Sequence, residues 1–75
     1  MLHSYSLSRH SNECAKILSY LGMHPDSTTT AIGSWCGMSD QKIRALCKLM
    51  AKYGIITIGK KKTFYGEATI YRRNF

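Results

Sequence analysis

The sequence predicts a small α+β domain: three helices followed by a C-terminal β-hairpin. Three observations carry that expectation. Apolar residues recur at helical spacing in three separate stretches before Gly54, and the period turns β-like after it. Glycines stand where elements must end. A chain of 75 residues is one domain, and at this size about 60% of the unfolded surface is buried, enough for one modest core.

Residues 1–10 are polar with isolated Leu2, Tyr5 and Leu7, and read as an N-terminal arm; residues 11–75 read as the folded domain. Ser11 is placed to cap the first helix, with Glu13 in its first turn favourable to the helix dipole. Cys14, Ile17, Leu18 and Leu21 repeat at i, i+3, i+4, i+7 and form one apolar stripe. Gly22 is expected to end that helix, and Pro25 to keep it from resuming. The threonines at 28–30 suit a very short strand or a helix cap. A second helix is expected over residues 29–36, with Ile32 and Cys36 four apart on one face.

Gly33 is small where the following helix must pass close, and Gly37 can take the left-handed conformation that ends a helix. Ser39 then caps a third helix over residues 40–53, whose stripe is Ile43, Leu46, Cys47 and Met50. Two short helices crossing around so tight a turn are the grammar of a helix-turn-helix. Beyond Gly54, residues 55–58 are β-branched throughout, and residues 67–72 alternate with Ala68 and Ile70 on one face. Residues 60–65, KKKTFY, lie between Gly59 and Gly66 and read as the basic tip of a hairpin, with Phe64 packing back on it.

Eleven Lys and Arg against four Asp and Glu give a net charge of +7, a field that attracts polyanions. The charge is uneven. Up to residue 40 the only bases are Arg9 and Lys16, whereas from Gln41 onward nine bases face the single acid Glu67. No membrane span is expected, because no apolar run is long enough. The N-terminal residues lack the apolar core of a secretory signal, and three cysteines without paired spacing suit a reducing cytoplasm. No CxxC or HxxxH spacing supports a metal, no glycine-rich phosphate loop supports a nucleotide, and the carboxylates are too few for paired acid–base work. The expectation is a protein that is not an enzyme, has no cofactor and takes no small-molecule substrate.

Three helices followed by a hairpin, with the GII entry at Gly54, resemble the winged helix-turn-helix superfamily over about residues 11–73. By position, residues 29–36 match the first helix of the motif and residues 40–53 its recognition helix. Residues 55–72 match the wing strands, with residues 60–65 at the wing tip. By size the chain is similar to the small fimbrial-operon coregulators of enteric bacteria and to small phage-encoded regulators. It also resembles left-handed-DNA-binding winged domains in outline, but those use an Asn and a Tyr on the recognition helix where this chain has Arg44 and Lys48. The resemblance implies a regulator of transcription that binds double-stranded DNA, with the third helix in the major groove and the wing on the backbone or minor groove.

With the stripe facing inward, the opposite face of the third helix carries Gln41, Lys42, Arg44, Ala45, Lys48 and Lys52. Gln41 and Arg44 are the candidate base readers, since Gln can bond adenine and Arg guanine bidentately. Ala45 permits close approach and contact with a thymine methyl. Lys42, Lys48 and Lys52 suit phosphates, which position without specifying. Ser39, Thr29 and Thr30 offer hydroxyls at helix starts, where capping alone would also account for them. Lys60, Lys61, Lys62 and Tyr65 are the candidate wing contacts, and Arg72 and Arg73 are either further backbone contacts or a frayed basic end.

So small a domain is expected to need a homodimer, a protein co-regulator or tandem sites for useful affinity. The alternative is a winged-helix protein-interaction module, such as a phage-encoded inhibitor of a host nucleic-acid-binding or CRISPR complex. Its contact candidates are Leu2, Tyr5, Leu7 and Trp35. Trp35 also reads as the aromatic edge of the core.

Overall fold

Helix α1 (Ser11–Met23) turns Cys14, Ile17 and Leu21 into the core, the stripe expected from their spacing, with Leu18 half-buried beside them. A computed structural model describes residues 7–75; the expected contact candidates Leu2 and Tyr5 lie outside the described residues. Two details of α1 differ from expectation. His10 occupies the N-cap position and Ser11 is the first helical residue, so Ser11 is not the cap. Gly22 lies inside the helix rather than ending it. Its value is space: a Cβ there would sit 2.8 Å from the Arg73 guanidinium.

After a turn in which Asp26 takes φ 62°, strand β1 (Ser27–Thr28) leads directly into helix α2 (Thr29–Cys36). The threonine cluster thus serves as both strand and cap, because Thr28 accepts a hydrogen bond from the Ala31 N–H at 3.3 Å. Gly37 ends α2 at φ 72°, and the N–H groups of Gly37 and Met38 both donate to the Gly33 carbonyl. Helix α3 (Asp40–Lys52) starts at Ser39, whose hydroxyl accepts from the Lys42 N–H at 3.2 Å. At the crossing, a Cβ on Gly33 would lie 2.7 Å from the Met38 carbonyl oxygen, so the close approach demands glycine. Ile43, Leu46, Cys47 and Met50 are fully buried against Ile17, Leu21 and Ile32. Each such aliphatic side chain contributes about 1.5–3 kcal/mol when taken out of water.

Gly54 (φ 74°) follows the helix, and the chain enters β2 (Ile56–Thr63), which turns back into β3 (Gly66–Arg73). The sheet is antiparallel with order β1-β3-β2. The molecule is therefore an α+β domain of three helices and a C-terminal hairpin, compatible with a winged helix-turn-helix outline.

The hairpin corrects the sequence reading in three ways. Lys60, Lys61 and Lys62 are in strand β2, paired with Thr69, Ala68 and Glu67, and the turn is only Phe64–Tyr65. Phe64 does not pack back, being 93% exposed. Ala68 and Ile70 do share a face, but the residue that enters the core is Tyr71 on the opposite face, beside Ile56. Directly paired residues point the same way, so Ile58 with Tyr71, Lys60 with Thr69 and Lys62 with Glu67 share one face, while Lys61 with Ala68 takes the other.

Candidate nucleic-acid interface

The burial of one stripe of α3 leaves Gln41, Arg44, Lys48 and Lys52 exposed, with Ala45 half-buried among them. Leu49, one turn beyond Ala45, joins it in a shallow apolar depression also lined by Ala51 and the side chains of Lys48 and Lys52. The i, i+4 spacing from Ala45 is the signal that would have added Leu49 to the candidate surface. Lys42 lies apart from this group. It turns toward α1 and forms an ion pair with Glu13, half-buried on both sides. The hydrogen bond from Lys42 is the main reason that the Glu13 carboxyl is held below its ordinary range.

At the N-terminus of α2 the three threonines divide. Thr29 is only 7% exposed, and its hydroxyl donates to the Tyr71 phenol oxygen at 3.1 Å. Its hydroxyl proton is thus directed into the interior. Thr30 is exposed and reaches Asp40 Oδ2 at 3.4 Å. Ser39 is exposed while serving as the cap of α3.

Arg44 and the hairpin meet across a cleft of about 190 Å³ lined by Thr28, Thr29, Thr30, Arg44, Ala68 and Thr69. Lys60 donates to the Thr69 hydroxyl at 3.1 Å, which ties the lysine row of β2 to the rim of that cleft. Ala68 and Thr69 were not among the candidates, because their place beside Arg44 depends on how the hairpin folds back rather than on any local spacing. Lys61 and Lys62 are exposed further along the same strand, and Tyr65 is 94% exposed at the turn.

The terminal arginines are not frayed. Arg72 forks onto Asp26, Nε to Oδ1 at 3.0 Å and Nη2 to Oδ2 at 2.6 Å. Hydrogen bonding and the charge of Asp26 raise the Arg72 pKa. Arg73 donates to the Leu18 carbonyl at 3.2 Å and covers Gly22. Their guanidinium groups therefore hold the hairpin to α1 and to the turn after it.

No protein-family model and no curated protein sequence matches the chain. Among the described residues no three His, Cys, Asp or Glu side chains gather as a metal site, and no helix is long and apolar enough to cross a membrane. The three cysteines are free thiols, with Cys14 and Cys47 buried and Cys36 half-buried. Trp35 is 52% exposed and stands against Tyr20, ring centroids 5.3 Å apart, and Tyr20 in turn stands against His24 at 4.8 Å. That makes an aromatic surface patch rather than the core edge expected of Trp35.

Proposed function

We propose that the chain is a winged helix-turn-helix protein that binds double-stranded DNA and regulates transcription, with α3 in the major groove and the β2–β3 hairpin as the wing. The observation that carries this reading is the cleft joining the two: Arg44 on α3 adjoins Ala68 and Thr69 on β3, and Thr69 holds Lys60. The DNA-binding surface then joins a helix presenting Gln41, Arg44 and Lys48 to a ribbon that carries Lys60 and Lys62 on one face and Lys61 on the other. The major groove accepts a helix and distinguishes all four base pairs. In this reading Gln41 and Arg44 read bases, Lys48, Lys52 and the wing lysines take phosphates, and Thr30 and Ser39 approach the backbone. Lys42 and Thr29 support the domain instead, since one pairs with Glu13 and the other with Tyr71.

The test is selection of bound sequences from a random duplex pool, followed by titration of the selected duplex over a range of salt. Contact with four to six phosphates gives a slope of log K against log[salt] near about −4 to −5. Salt-independent binding, or no binding at low salt, would sink the proposal. The exposed Trp35–Tyr20–His24 patch favours a second reading, a protein-interaction module that acts by occupying a nucleic-acid-binding or CRISPR complex. That reading requires a defined partner whose capture resists nuclease and is lost in Trp35→Ala.

A further inference from the structure

The geometry points to the hairpin turn as a base-stacking wedge: Phe64 and Tyr65 insert a ring into a disrupted base step of duplex DNA, flanked by lysine–phosphate contacts. This rests on the DNA-binding reading above and names the kind of DNA site that the wing engages.

Both rings are held out in solvent, Phe64 at 93% and Tyr65 at 94% exposure. Their contact is with each other, edge to face, with centroids 5.1 Å apart and planes at 89°. The turn that presents them is braced from behind. The Thr63 hydroxyl donates to the Gly66 carbonyl at 2.7 Å and accepts from the Tyr65 N–H at 3.3 Å. Gly66 takes φ 124°, a conformation that side-chain-bearing residues rarely adopt. Two large apolar groups are thus fixed at the end of a two-stranded ribbon, where none of the described residues covers them.

Width decides how such a ribbon meets a duplex. Paired strands are about 4.8 Å apart before side chains are added, so the body of the ribbon suits the major groove, about 12 Å wide, and not the minor groove, about 6 Å wide. Only the side chains of the turn can enter the narrow groove. Because the rings are perpendicular, one can lie parallel to a base pair while the other braces its edge. A strand rise of about 3.3 Å per residue places Lys61 about 10 Å behind Phe64. The alternation of Lys60 and Lys62 with Lys61 directs positive charge to both faces of the ribbon, toward phosphates on either side of the groove. Unstacking an intact step is costly, and the cost is least where a mismatch or unpaired base has already opened it.

The test compares three duplexes of one sequence: perfectly paired, carrying a single central mismatch, and carrying 2-aminopurine beside that mismatch. Wild type is expected to bind the mismatched duplex about tenfold tighter than the perfect one, the scale of one base–aromatic stack, and to change the 2-aminopurine fluorescence. Phe64→Ala/Tyr65→Ala abolishes both effects, so that the variant binds the perfect and the mismatched duplex with equal affinity. Phe64→Leu/Tyr65→Leu, which keeps apolar bulk without π-faces, behaves like the alanine pair. Equal wild-type affinity for both duplexes, or a preference that survives in the alanine pair, overturns the wedge while leaving duplex binding intact. No binding to either duplex at low salt overturns the DNA reading, and the wedge with it. Binding to phosphatidylserine vesicles that depends on the rings, with mismatch preference unchanged, assigns the tip to a lipid surface and also overturns the wedge.

Discussion

Thr29 donates its hydroxyl to the phenol oxygen of Tyr71 at 3.1 Å, joining the first turn of α2 to the last strand inside the core. The bond is made on the face of β3 that turns inward, where the Tyr71 ring packs beside Ile56. Removing one partner leaves a buried polar group without its bond, whereas replacing both by apolar groups removes the need for it. Tyr71→Phe is expected to cost about 1–2 kcal/mol. Thr29→Val combined with Tyr71→Phe should cost less than the sum of the single changes. Urea unfolding of the four members of that cycle measures the coupling, and strict additivity would show that the bond contributes nothing.

Gly33 is the second point on which the architecture turns. In an ordinary helix Gly→Ala is stabilising, by about 1 kcal/mol. Here the added methyl would meet the Met38 carbonyl at 2.7 Å, and backbone cannot swing aside as a side chain does. Gly33→Ala is therefore expected to destabilise, by about 1–3 kcal/mol. Thermal unfolding gives the sign at once, and a raised Tm would mean that the helix crossing is looser than this geometry.

Those two sites show what was legible in the sequence. The α2–α3 crossing could be read because its determinants are local: Gly33, Gly37 and Ser39 each act within five residues of themselves. The hairpin faces could not. In EATIYR either alternate set can form a buried face, and a shift of one residue exchanges them. Tyr71 is buried among core residues from the helices and β2, and its bonding partner Thr29 lies 42 residues away. The lysines were misplaced for a related reason, since three charges read as a solvated tip although their side chains are accommodated on a strand exposed on both faces. Among the candidate contacts, outward placement on α3 followed from helical period, but the pairing of Lys42 with Glu13 needed the neighbouring helix.

Glu13 makes acid stability a test of that ion pair. Its carboxyl pKa is lowered, first by the hydrogen bond from Lys42, so the folded state releases this proton more readily than the unfolded chain. The stabilisation is present above the ordinary carboxylate value and is lost as pH falls through the depressed one. Glu13→Gln should lower Tm at about pH 7, and the difference should shrink as pH falls below the ordinary carboxylate range and through the depressed pKa. A Tm difference that persists unchanged at acid pH would point to lost packing rather than lost charge.

The thiols should report opening of the core. Burial, and then the neighbouring Cys14 and Cys36, push the Cys47 thiol up to about 12. The thiolate is the reactive form, so Cys47 should resist iodoacetamide in the native protein while half-buried Cys36 reacts first. In denaturant all three should react together. The raised pKa also means that the folded state holds a proton that the unfolded chain gives up, so stability is intact below about pH 9 and declines as pH rises toward 12. Native labelling of Cys47 as fast as Cys36, followed by peptide mass spectrometry, would contradict its placement in the core.

The division of roles between α3 and the wing gives the last prediction. Arg44 lies on the exposed face of α3 at the cleft, where a planar fork can meet a guanine edge. Lys61 stands on the exposed strand opposite Ala68, where a flexible ammonium suits a phosphate. Arg44→Ala should therefore weaken the selected duplex by about 1–3 kcal/mol and random duplex by much less, relaxing preference at one position. Lys61→Ala should weaken both duplexes equally and reduce the salt slope by about one unit. Competition binding at several salt concentrations separates the two outcomes. If both substitutions weaken specific and random DNA alike, Arg44 is a second phosphate contact, and base reading must pass to Gln41 or to the apolar pair Ala45 and Leu49 beside it.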